Sequence, residues 1–255
     1  MPTALVTGAS SGIGRAFVQR LAASGHDVVL VARDEQRLHA VADEVCAAYA
    51  VVAEVLPADL ADRAATAAVE ARLSEAARPV DLLVNAAGFS IHQPFVGGRL
   101  DAEERLVEVM VLAVLRLTHA ALPGMVERGH GSVVTVSSLA GWFPAGTYSA
   151  AKAWATTFTE GLAADLDGAG VRAMALCPGY TRTEFHRRAG IDASAVPAAL
   201  WLDAGKVVDV ALRDLRSGRT LSTPGAVATA MAPAVRLAPR SLLRRVASHR
   251  PGARR

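Results

Sequence analysis

Short apolar runs rich in β-branched residues alternate along the chain with longer amphipathic segments rich in Ala and Leu. The runs have the length of buried strands, and the segments have the periodicity of helices that cover a sheet. The predicted strands are 3–7, 27–32, 51–56, 80–84, 131–137, 170–176 and 220–223, and the predicted helices are 12–24, 34–49, 61–77, 101–128, 147–168 and 205–217. This alternation predicts an α/β fold, a single doubly wound domain with helices on both faces of a mostly parallel seven-stranded sheet.

One segment, residues 181–204, interrupts the alternation. It holds Phe185, Pro197 and Trp201 in irregular surroundings, and it is predicted to be a long loop or lid over a substrate site. We expect it to belong to one domain that spans residues 1–230. Residues 231–255 are predicted to be a basic C-terminal tail and not a separate domain.

Composition excludes several classes of protein. The hydrophobic fraction of 52% argues against disorder, and no uncharged apolar run reaches the roughly 18 residues that span a bilayer. The sequence enters its first strand at Ala4-Leu5-Val6 without a signal peptide, which predicts a cytoplasmic protein. The two cysteines, Cys46 and Cys177, provide neither a disulfide framework nor a metal cluster, so no metal is expected.

Charge is distributed unevenly along the chain. All 24 acidic residues lie at or before Asp214, whereas the last 41 residues carry nine arginines and no acid. A solvated tail is the expectation. Alternatively, a basic helix beginning near Pro239, with Leu242, Leu243 and Val246 on one face, touches an anionic membrane or a neighbouring subunit. The tail has no base-reading motif, so nucleic-acid binding is not expected.

A glycine-rich stretch, Thr7-Gly8-Ala9-Ser10-Ser11-Gly12-Ile13-Gly14, lies between the first strand and the first helix. Glycines there permit a tight turn and close approach of a phosphate to the helix N-terminus, which predicts a dinucleotide site. The second strand ends at Arg33, whose guanidinium suits a ribose 2′-phosphate, so NADP is favoured. Asp34 follows and keeps NAD open as the alternative, unless it caps the next helix.

Tyr148 and Lys152 are four residues apart and share one face of a predicted helix. Lys152 and Lys206 are the only lysines among 27 basic residues, so a lysine at this position suggests chemistry that arginine does not provide. A nearby ammonium lowers the pKa of a phenol from about 10, which predicts a proton donor or acceptor at a carbonyl or alcohol oxygen. A chance surface pair is the alternative, and the surrounding motifs decide between the two.

Six short motifs occur along the chain, and their order and spacing are specific when they are taken together. They are TGASSGIG at 7–14, Asp59-Leu60, Asn85-Ala86-Ala87-Gly88, Ser137-Ser138-Leu139-Ala140-Gly141, Tyr148-x-x-x-Lys152 and Pro178-Gly179-Tyr180-Thr181-Arg182-Thr183. On these motifs the chain resembles the short-chain dehydrogenase/reductase family over roughly residues 3–225. The resemblance implies a Rossmann fold, NAD(P)-dependent hydride transfer between a small carbonyl compound and its alcohol, and a homodimer or homotetramer paired through the helices at 101–128 and 147–168.

The resemblance also implies residue roles. The catalytic residues would be Ser138, Tyr148 and Lys152, and Lys152 would also hold the nicotinamide ribose. The implied cofactor-binding residues, from the phosphate loop through the adenine and ribose contacts to the nicotinamide end, are Gly8, Ser10, Ser11, Gly12, Ile13, Gly14, Arg33, Asp59, Leu60, Asn85, Ala86, Gly88, Tyr148, Lys152, Pro178, Gly179, Thr181 and Thr183.

Two departures from the family pattern qualify these roles. The loop between Ser138 and Tyr148 is short, which should reshape the pocket mouth. Met110 stands where the family usually has an asparagine that helps hold a water linking the lysine to solvent. A methionine side chain cannot replace it, although its backbone carbonyl could if the helix is locally distorted. The main prediction is therefore an NADP-dependent enzyme, and the alternative is an NADP(H)-binding sensor or scaffold with weak turnover.

Large apolar side chains near the motifs suggest the substrate. The predicted pocket lining is Phe89, Ile91, Trp142, Phe143, Phe185 and Trp201, which favours an apolar or ring-containing carbonyl compound. The alternative is that several of these side chains only pack the lid. His92 and His186 are predicted to be surface loop residues.

Overall fold

Seven parallel strands form the main sheet of the protein. The computed structural model describes residues 1–192, 194, 196–225, 229–230, 235 and 238–248. The sheet strands are β1 (Thr3–Thr7), β2 (Asp27–Ala32), β3 (Ala53–Pro57), β4 (Leu82–Asn85), β5 (Gly131–Val136), β6 (Val171–Leu176) and β9 (Leu221–Ser222), in the spatial order β3-β2-β1-β4-β5-β6-β9. The predicted doubly wound, seven-stranded α/β fold is confirmed.

Helices cover both faces of this sheet because its strands are apolar on both sides. They are α1 (Gly12–Ala23), α2 (Glu35–Ala48), α3 (Arg63–Leu73), α4 (Leu100–Val107), α5 (Ala113–Arg128), α6 (Gly146–Asp165) and α8 (Ala204–Arg216). Alternate strand residues face opposite layers: Val28 and Leu30 pack towards α1, α2 and α8, whereas Val29 and Val31 pack towards α3, α5 and α6.

The strand order reverses between β1 and β4. The chain runs outward from β1 through β2 to β3, and then crosses to begin the other half of the sheet at β4. Such a switch point leaves a crevice at the carboxyl ends of the strands. The hydroxyl of Thr7, at the end of β1, accepts hydrogen bonds from the amides of Ala86 and Ala87, both at 3.0 Å, and thereby joins the two strand ends.

Acidic side chains fix where several helices begin. Asp34 accepts a hydrogen bond from the amide of Arg37 at 3.0 Å at the start of α2, and Asp62 caps α3 through Ala65 at 2.7 Å. Each contact satisfies one of the free amides of a first helical turn. Asp34 therefore has the capping role that the sequence offered as an alternative to ribose recognition.

The helix predicted at 101–128 runs continuously over Leu100–Arg128, with a π-helical turn at Glu108–Leu112 between α4 and α5. Among the described residues, it alone is long and apolar enough to cross a membrane by length and composition. Leu106, Leu117 and Met125 are almost fully buried in the layer beneath the sheet. That packing accounts for the apolar character of the helix.

The segment at 181–204 contains short elements rather than an unbroken loop. A two-stranded parallel pair, β7 (Thr181–Arg182) with β8 (Leu202–Asp203), closes its base, and α7 (Phe185–Arg188) and a 3-10 turn (Ala198–Leu200) lie between them. The two ends of the segment are therefore held together by backbone hydrogen bonds.

A further helix, α9 (Arg240–Ser248), begins next to Pro239 as the sequence predicted. The predicted common face of Leu242 and Leu243 is wrong, because Leu243 is buried whereas Leu242 is 52% exposed. The side chain of Val246 and the predicted boundary at 230/231 lie outside the described residues.

Candidate active site

The phosphate loop between β1 and α1 is built on close backbone contacts. A Cβ on Gly14 would lie 2.3 Å from the carbonyl oxygen of Gly8, and one on Gly8 would lie 2.9 Å from the carbonyl oxygen of Ala86. Gly8 also has φ of +68°, a region that favours glycine. The loop therefore places the N-terminus of α1 at the floor of the crevice, as an anion site requires.

A cleft of about 800 Å³ runs from this loop across the carboxyl ends of the strands. It brings together all but one of the predicted site residues. Those that line it are Gly8, Ser10, Ser11, Gly12, Ile13, Gly14, Arg33, Asp59, Leu60, Ala86, Gly88, Ser138, Tyr148, Lys152, Pro178, Gly179, Thr181 and Thr183.

Asn85 is the exception, because its side chain lies beneath the cleft and not in its wall. Its amide nitrogen donates to the hydroxyl of Thr118 on α5 at 3.1 Å. The side chain is turned into the helix layer below β4 and links that strand to α5. The backbone that follows it, at Ala86 and Gly88, does line the cleft.

Tyr148, in the first turn of α6, hydrogen-bonds with Ser138 just beyond the end of β5. Burial raises the pKa of Tyr148 to about 12, although the hydrogen bond with Ser138 acts in the opposite direction. The sequence predicted a pKa lowered by Lys152, and this is wrong for the protein alone. Removal of the phenol from water outweighs the other influences, so the phenol keeps its proton at neutral pH.

Lys152 directs its ammonium at the strand and not at the phenol. Its Nζ donates to the carbonyl oxygen of Val136 at 2.7 Å and lies 5.8 Å from the centre of the Tyr148 ring. Burial lowers the pKa of Lys152 to about 8, with an opposing influence from Cys177. The pKa of this buried ammonium therefore lies close to neutral pH, which suits a group that exchanges protons.

A buried hydroxyl network fixes the backbone beside this lysine. Ser137 donates to the carbonyl oxygen of Lys152 at 2.6 Å and is 2.7 Å from the hydroxyl of Thr156. Thr156 lies in turn 3.5 Å from the sulfur of Cys177. Strand β5 and helix α6 are thus held together next to Ser138. The partners of Ser137 are 15 and 19 residues away in the sequence, so only the tertiary structure shows them.

Met110 and Lys152 both lie next to Gly88. A Cβ on Gly88 would be 3.6 Å from both the Met110 sulfur and Lys152 Nζ, so the three residues adjoin one another. Met110 also sits inside the π-helical turn, where the amide of Ala113 bonds the carbonyl of Glu108 five residues earlier. The local helix distortion that the sequence raised is therefore present.

The adenine end of the cleft carries an ion pair that the sequence did not indicate. Arg105 of α4 donates to one carboxylate oxygen of Asp59, and the amide of Ala61 donates to the other at 3.1 Å. The pKa of Asp59 is lowered because the hydrogen bonds from Arg105 and Ala61 outweigh desolvation by burial, which acts in the opposite direction. Asp59 is thus a fixed carboxylate at the cleft wall. Its partner is 46 residues away in the sequence, so no local pattern could reveal the pair.

The predicted substrate lining is correct only in part. Phe89 and Phe185 line the cleft, whereas Ile91, Trp142, Phe143 and Trp201 do not. Ile91 instead packs on the core beneath the sheet. Proximity to a motif in sequence did not determine which of these side chains reach the cleft, because turns redirect the chain within a few residues.

His186 was predicted to be a surface loop residue, and this is wrong. Its ring lies 5.0 Å from that of Trp201, 5.5 Å from that of Tyr180 and 5.5 Å from that of Phe185, centre to centre. The Nδ1 atom is buried without a hydrogen-bond partner among the described residues. Burial lowers the pKa of His186, so the imidazole is neutral at neutral pH. His92, by contrast, is exposed as predicted.

The cleft fits a dinucleotide and gives no indication of a metal. Its phosphate end combines a helix N-terminus with glycines that a side chain would obstruct, and its rim carries the exposed Arg33. Its other end holds Tyr148 and Lys152. No group of three or more His, Cys, Asp or Glu side chains suited to a metal occurs in the described part of the chain.

Comparisons with known proteins agree with this geometry. The sequence model of the short chain dehydrogenases matches residues 2–193. A short chain dehydrogenase of Pseudocercospora fijiensis is 40% identical over 187 residues, which are 71% of this chain and 60% of the fungal protein. Sulfoacetaldehyde reductase 2 of Chromohalobacter salexigens is 38% identical over 186 residues, 71% of this chain and 73% of that protein.

Solved structures extend the likeness over nearly the whole chain. A short-chain dehydrogenase from Sphingobium yanoikuyae in complex with NADPH superposes with a TM-score of 0.87 at 37% identity and covers 95% of both chains. A bulky-bulky ketone specific alcohol dehydrogenase from Comamonas testosteroni gives a TM-score of 0.81 at 31% identity, over 92% of this chain and 91% of the other.

Proposed function

The chain belongs to the short-chain dehydrogenase family, and from this membership we propose that it is an NADP-dependent oxidoreductase that interconverts an apolar ketone and its secondary alcohol. The observation that carries the proposal is the meeting of Ser138, Tyr148 and Lys152 in one cleft with the glycine-rich loop. Ser138 follows β5, Tyr148 and Lys152 are on α6, and the glycine-rich loop joins β1 to α1, so their convergence is a property of the fold.

Charge at the adenine end supports NADP over NAD. Arg33 follows β2 directly and lines the cleft with its exposed guanidinium. Asp34, the acid that could have met a ribose 2′-hydroxyl, is engaged at the N-terminus of α2. An exposed guanidinium next to a carboxylate that is engaged in capping a helix favours a 2′-phosphate.

The proposed mechanism assigns the proton to Tyr148. The nicotinamide, when bound, supplies or accepts the hydride. In ketone reduction, Tyr148 gives its proton to the developing alkoxide while Ser138 donates a hydrogen bond to the same oxygen. The raised pKa of Tyr148 keeps the phenol protonated at neutral pH, which suits a general acid. The Lys152 ammonium stabilises the phenolate that results.

The substrate end of the cleft supports an apolar ketone. Phe89, Phe185 and Ala189 line it, and Phe185 lies 5.7 Å from the Tyr148 ring, centre to centre. Arg188, which also lines the cleft, is paired with Glu184. A ring-bearing ketone would bury the aromatic surface of Phe89 and Phe185, which a small anionic aldehyde would leave uncovered.

Steady-state turnover with NADPH tests the proposal on a panel of aliphatic, aryl and fused-ring ketones together with sulfonated and carboxylated aldehydes. We expect the highest kcat/KM for ring-bearing ketones and a loss of at least 100-fold in Tyr148→Phe. NADPH binding by Tyr148→Phe, followed by fluorescence, controls for an intact site. Equal rates in wild type and Tyr148→Phe would exclude the proposed acid.

A sensor or scaffold with weak turnover is the second candidate, and Met110 is the observation that favours it. A thioether beside Lys152 offers no strong hydrogen bond to carry protons from solvent. NADPH binding without turnover on the panel would favour this function. Recovery of turnover in Met110→Asn would then identify the methionine as the cause.

Self-association and location remain proposals. The exposed apolar side chains of Leu112 and Leu115, 39% and 42% accessible, lie on the long helix that the sequence assigned to subunit pairing. We therefore propose a homodimer or homotetramer, which light scattering on the purified protein would test. A cytoplasmic location stays a prediction.

A further inference from the structure

The carboxylate of Glu184 lies where three arginines from two parts of the fold meet. Its Oε2 accepts hydrogen bonds from Arg37 Nη1 at 3.0 Å and from Arg188, and its Oε1 accepts one from Arg187 at 3.2 Å. The Arg37 guanidinium is the main cause of a lowered pKa for Glu184. Arg37 belongs to the first turn of α2, whereas the other two arginines belong to α7.

The pair between Arg37 and Glu184 spans the cofactor cleft. Both residues line the cleft, and they are separated by 147 positions in the sequence. Arg188 also donates to the hydroxyl of Ser11 in the phosphate loop at 3.3 Å. The segment at 181–204 is thus tied to α2 and to the phosphate loop.

The ion pair between Arg37 and Glu184 is weak enough for Arg37 to exchange its partner. The side chains of Arg37 and Glu184 are 49% and 35% exposed, and ion pairs of this exposure contribute little net stability. Arg37 also lies 3.3 Å from Asp34, so its guanidinium already has a second acceptor. A stronger anion that reaches the guanidinium can therefore replace the carboxylate at small cost.

We propose that Arg37 is a second ligand of the cofactor 2′-phosphate and that the phosphate displaces Glu184 from it. The inference rests on the proposed use of NADP. Arg37 follows Arg33 by four residues, in the first turn of α2, and both line the cleft. A phosphate monoester carries a charge near −2 at neutral pH and accepts bidentate hydrogen bonds from guanidinium, so it outcompetes a carboxylate.

The exchange links cofactor choice to the substrate segment. With the phosphate bound, Glu184 keeps only its partners on α7, and the segment loses its tie to α2. A cofactor with a free 2′-hydroxyl leaves that tie in place. Arg37 therefore discriminates between the two cofactors, and its contact with Glu184 couples cofactor identity to the residues that surround the substrate.

Calorimetric titration with adenosine 2′,5′-bisphosphate and with AMP tests the exchange without turnover. In Arg37→Ala we expect the affinity for the bisphosphate to fall about tenfold and that for AMP to change less than about twofold. In Glu184→Gln we expect tighter binding of the bisphosphate, by about threefold to tenfold, because its competitor is gone. Arg15→Ala, which removes an equally exposed arginine paired with Glu44, is the matched control and should change neither affinity.

The double variant provides the decisive outcome. If the exchange operates, Glu184→Gln has no further effect on bisphosphate affinity once Arg37 is alanine. The same strengthening in that background, or an equal loss for both nucleotides in Arg37→Ala, would overturn it. Wild type that binds the bisphosphate no better than AMP would instead refute the proposed use of NADP, so the two failures are distinguishable.

Discussion

The two ends of the cleft are built on different principles. The phosphate end is made from backbone, and its residues are consecutive in sequence between β1 and α1. The catalytic end is made from side chains of β5, α6 and the π-helical turn, which only the fold brings together. Steric fit governs the first end, whereas burial governs the second, where it shifts the pKa values of both Tyr148 and Lys152. Substitutions should therefore fail in different ways at the two ends.

The largest effect is expected at the phosphate end. Gly14→Ala places a methyl group 2.3 Å from the carbonyl oxygen of Gly8, and backbone must move to admit it. We expect NADPH binding to fall below detection and the free energy of unfolding to decrease by roughly 1–3 kcal/mol. Fluorescence titration and urea denaturation measure both. Gly161→Ala in α6, where a Cβ meets nothing within 4 Å, should leave binding unchanged, and a loss there would remove the steric explanation.

At the catalytic end, activity and stability should move in opposite directions. Lys152→Met removes a cation whose pKa burial lowers from 10.5 to about 8. We expect kcat/KM to fall at least 100-fold and the free energy of unfolding at pH 7 to rise by up to about 3 kcal/mol.

The pH dependence of that gain fixes its origin. At pH 7 the lysine is protonated in both the folded and unfolded states, so the folded protein bears the full cost of the buried charge. The cost is relieved as the pH rises from about 8 to 10.5, so the gain should be smaller at pH 9. Lys206→Met, at an exposed lysine, is the control. A stability loss in Lys152→Met at pH 7 would contradict the account.

The pH profile of ketone reduction should show the ionisation of Lys152. The Lys152 ammonium is lost as the pH rises through about 8, while Tyr148, with a pKa near 12, stays protonated. We expect kcat/KM to be level below pH 8 and to fall about tenfold per pH unit above it. Circular dichroism at the highest pH checks that the fold is intact. A profile that stays level to pH 10 would show that the lysine charge is not required.

The smallest effect is expected at Gly88, which lines the cleft next to Met110 and Lys152. A Cβ there would lie 3.6 Å from Met110 and Lys152 Nζ, which is an ordinary van der Waals distance to flexible side chains. Gly88→Ala should change the free energy of unfolding by less than about 1 kcal/mol and kcat by less than about threefold. A loss as large as that of Gly14→Ala would show that the catalytic end is as sterically restricted as the phosphate end.

Local patterns predicted the fold and the identity of most site residues. Every strand of the seven-stranded sheet and every helix that covers it was predicted, because buried strands and amphipathic helices leave periodic signals within a few residues. The glycine-rich loop was also predicted, because a single turn of backbone specifies it. The sequence analysis required a local helix distortion for the backbone carbonyl of Met110 to replace the asparagine, and the π-helical turn is such a distortion.

The errors have one cause. His186 lies in an aromatic cluster because Tyr180 and Trp201, which are brought to it by the fold, surround its ring. The shift in the Tyr148 pKa was predicted with the wrong sign for the same reason. The spacing of Tyr148 and Lys152 indicated that they share a helix face, but not how deeply the fold would bury them.

The sequence by itself therefore determined the order of the elements, the phosphate loop and the residues that are proposed to carry the chemistry, since these depend on short-range pattern and backbone geometry. The tertiary structure alone decided the pKa shifts of Tyr148 and Lys152, the pairing of Asp59 with Arg105 and the tie between Arg37 and Glu184. Burial and ion pairing depend on which surfaces the fold brings together, and that information is absent from any single segment of the chain.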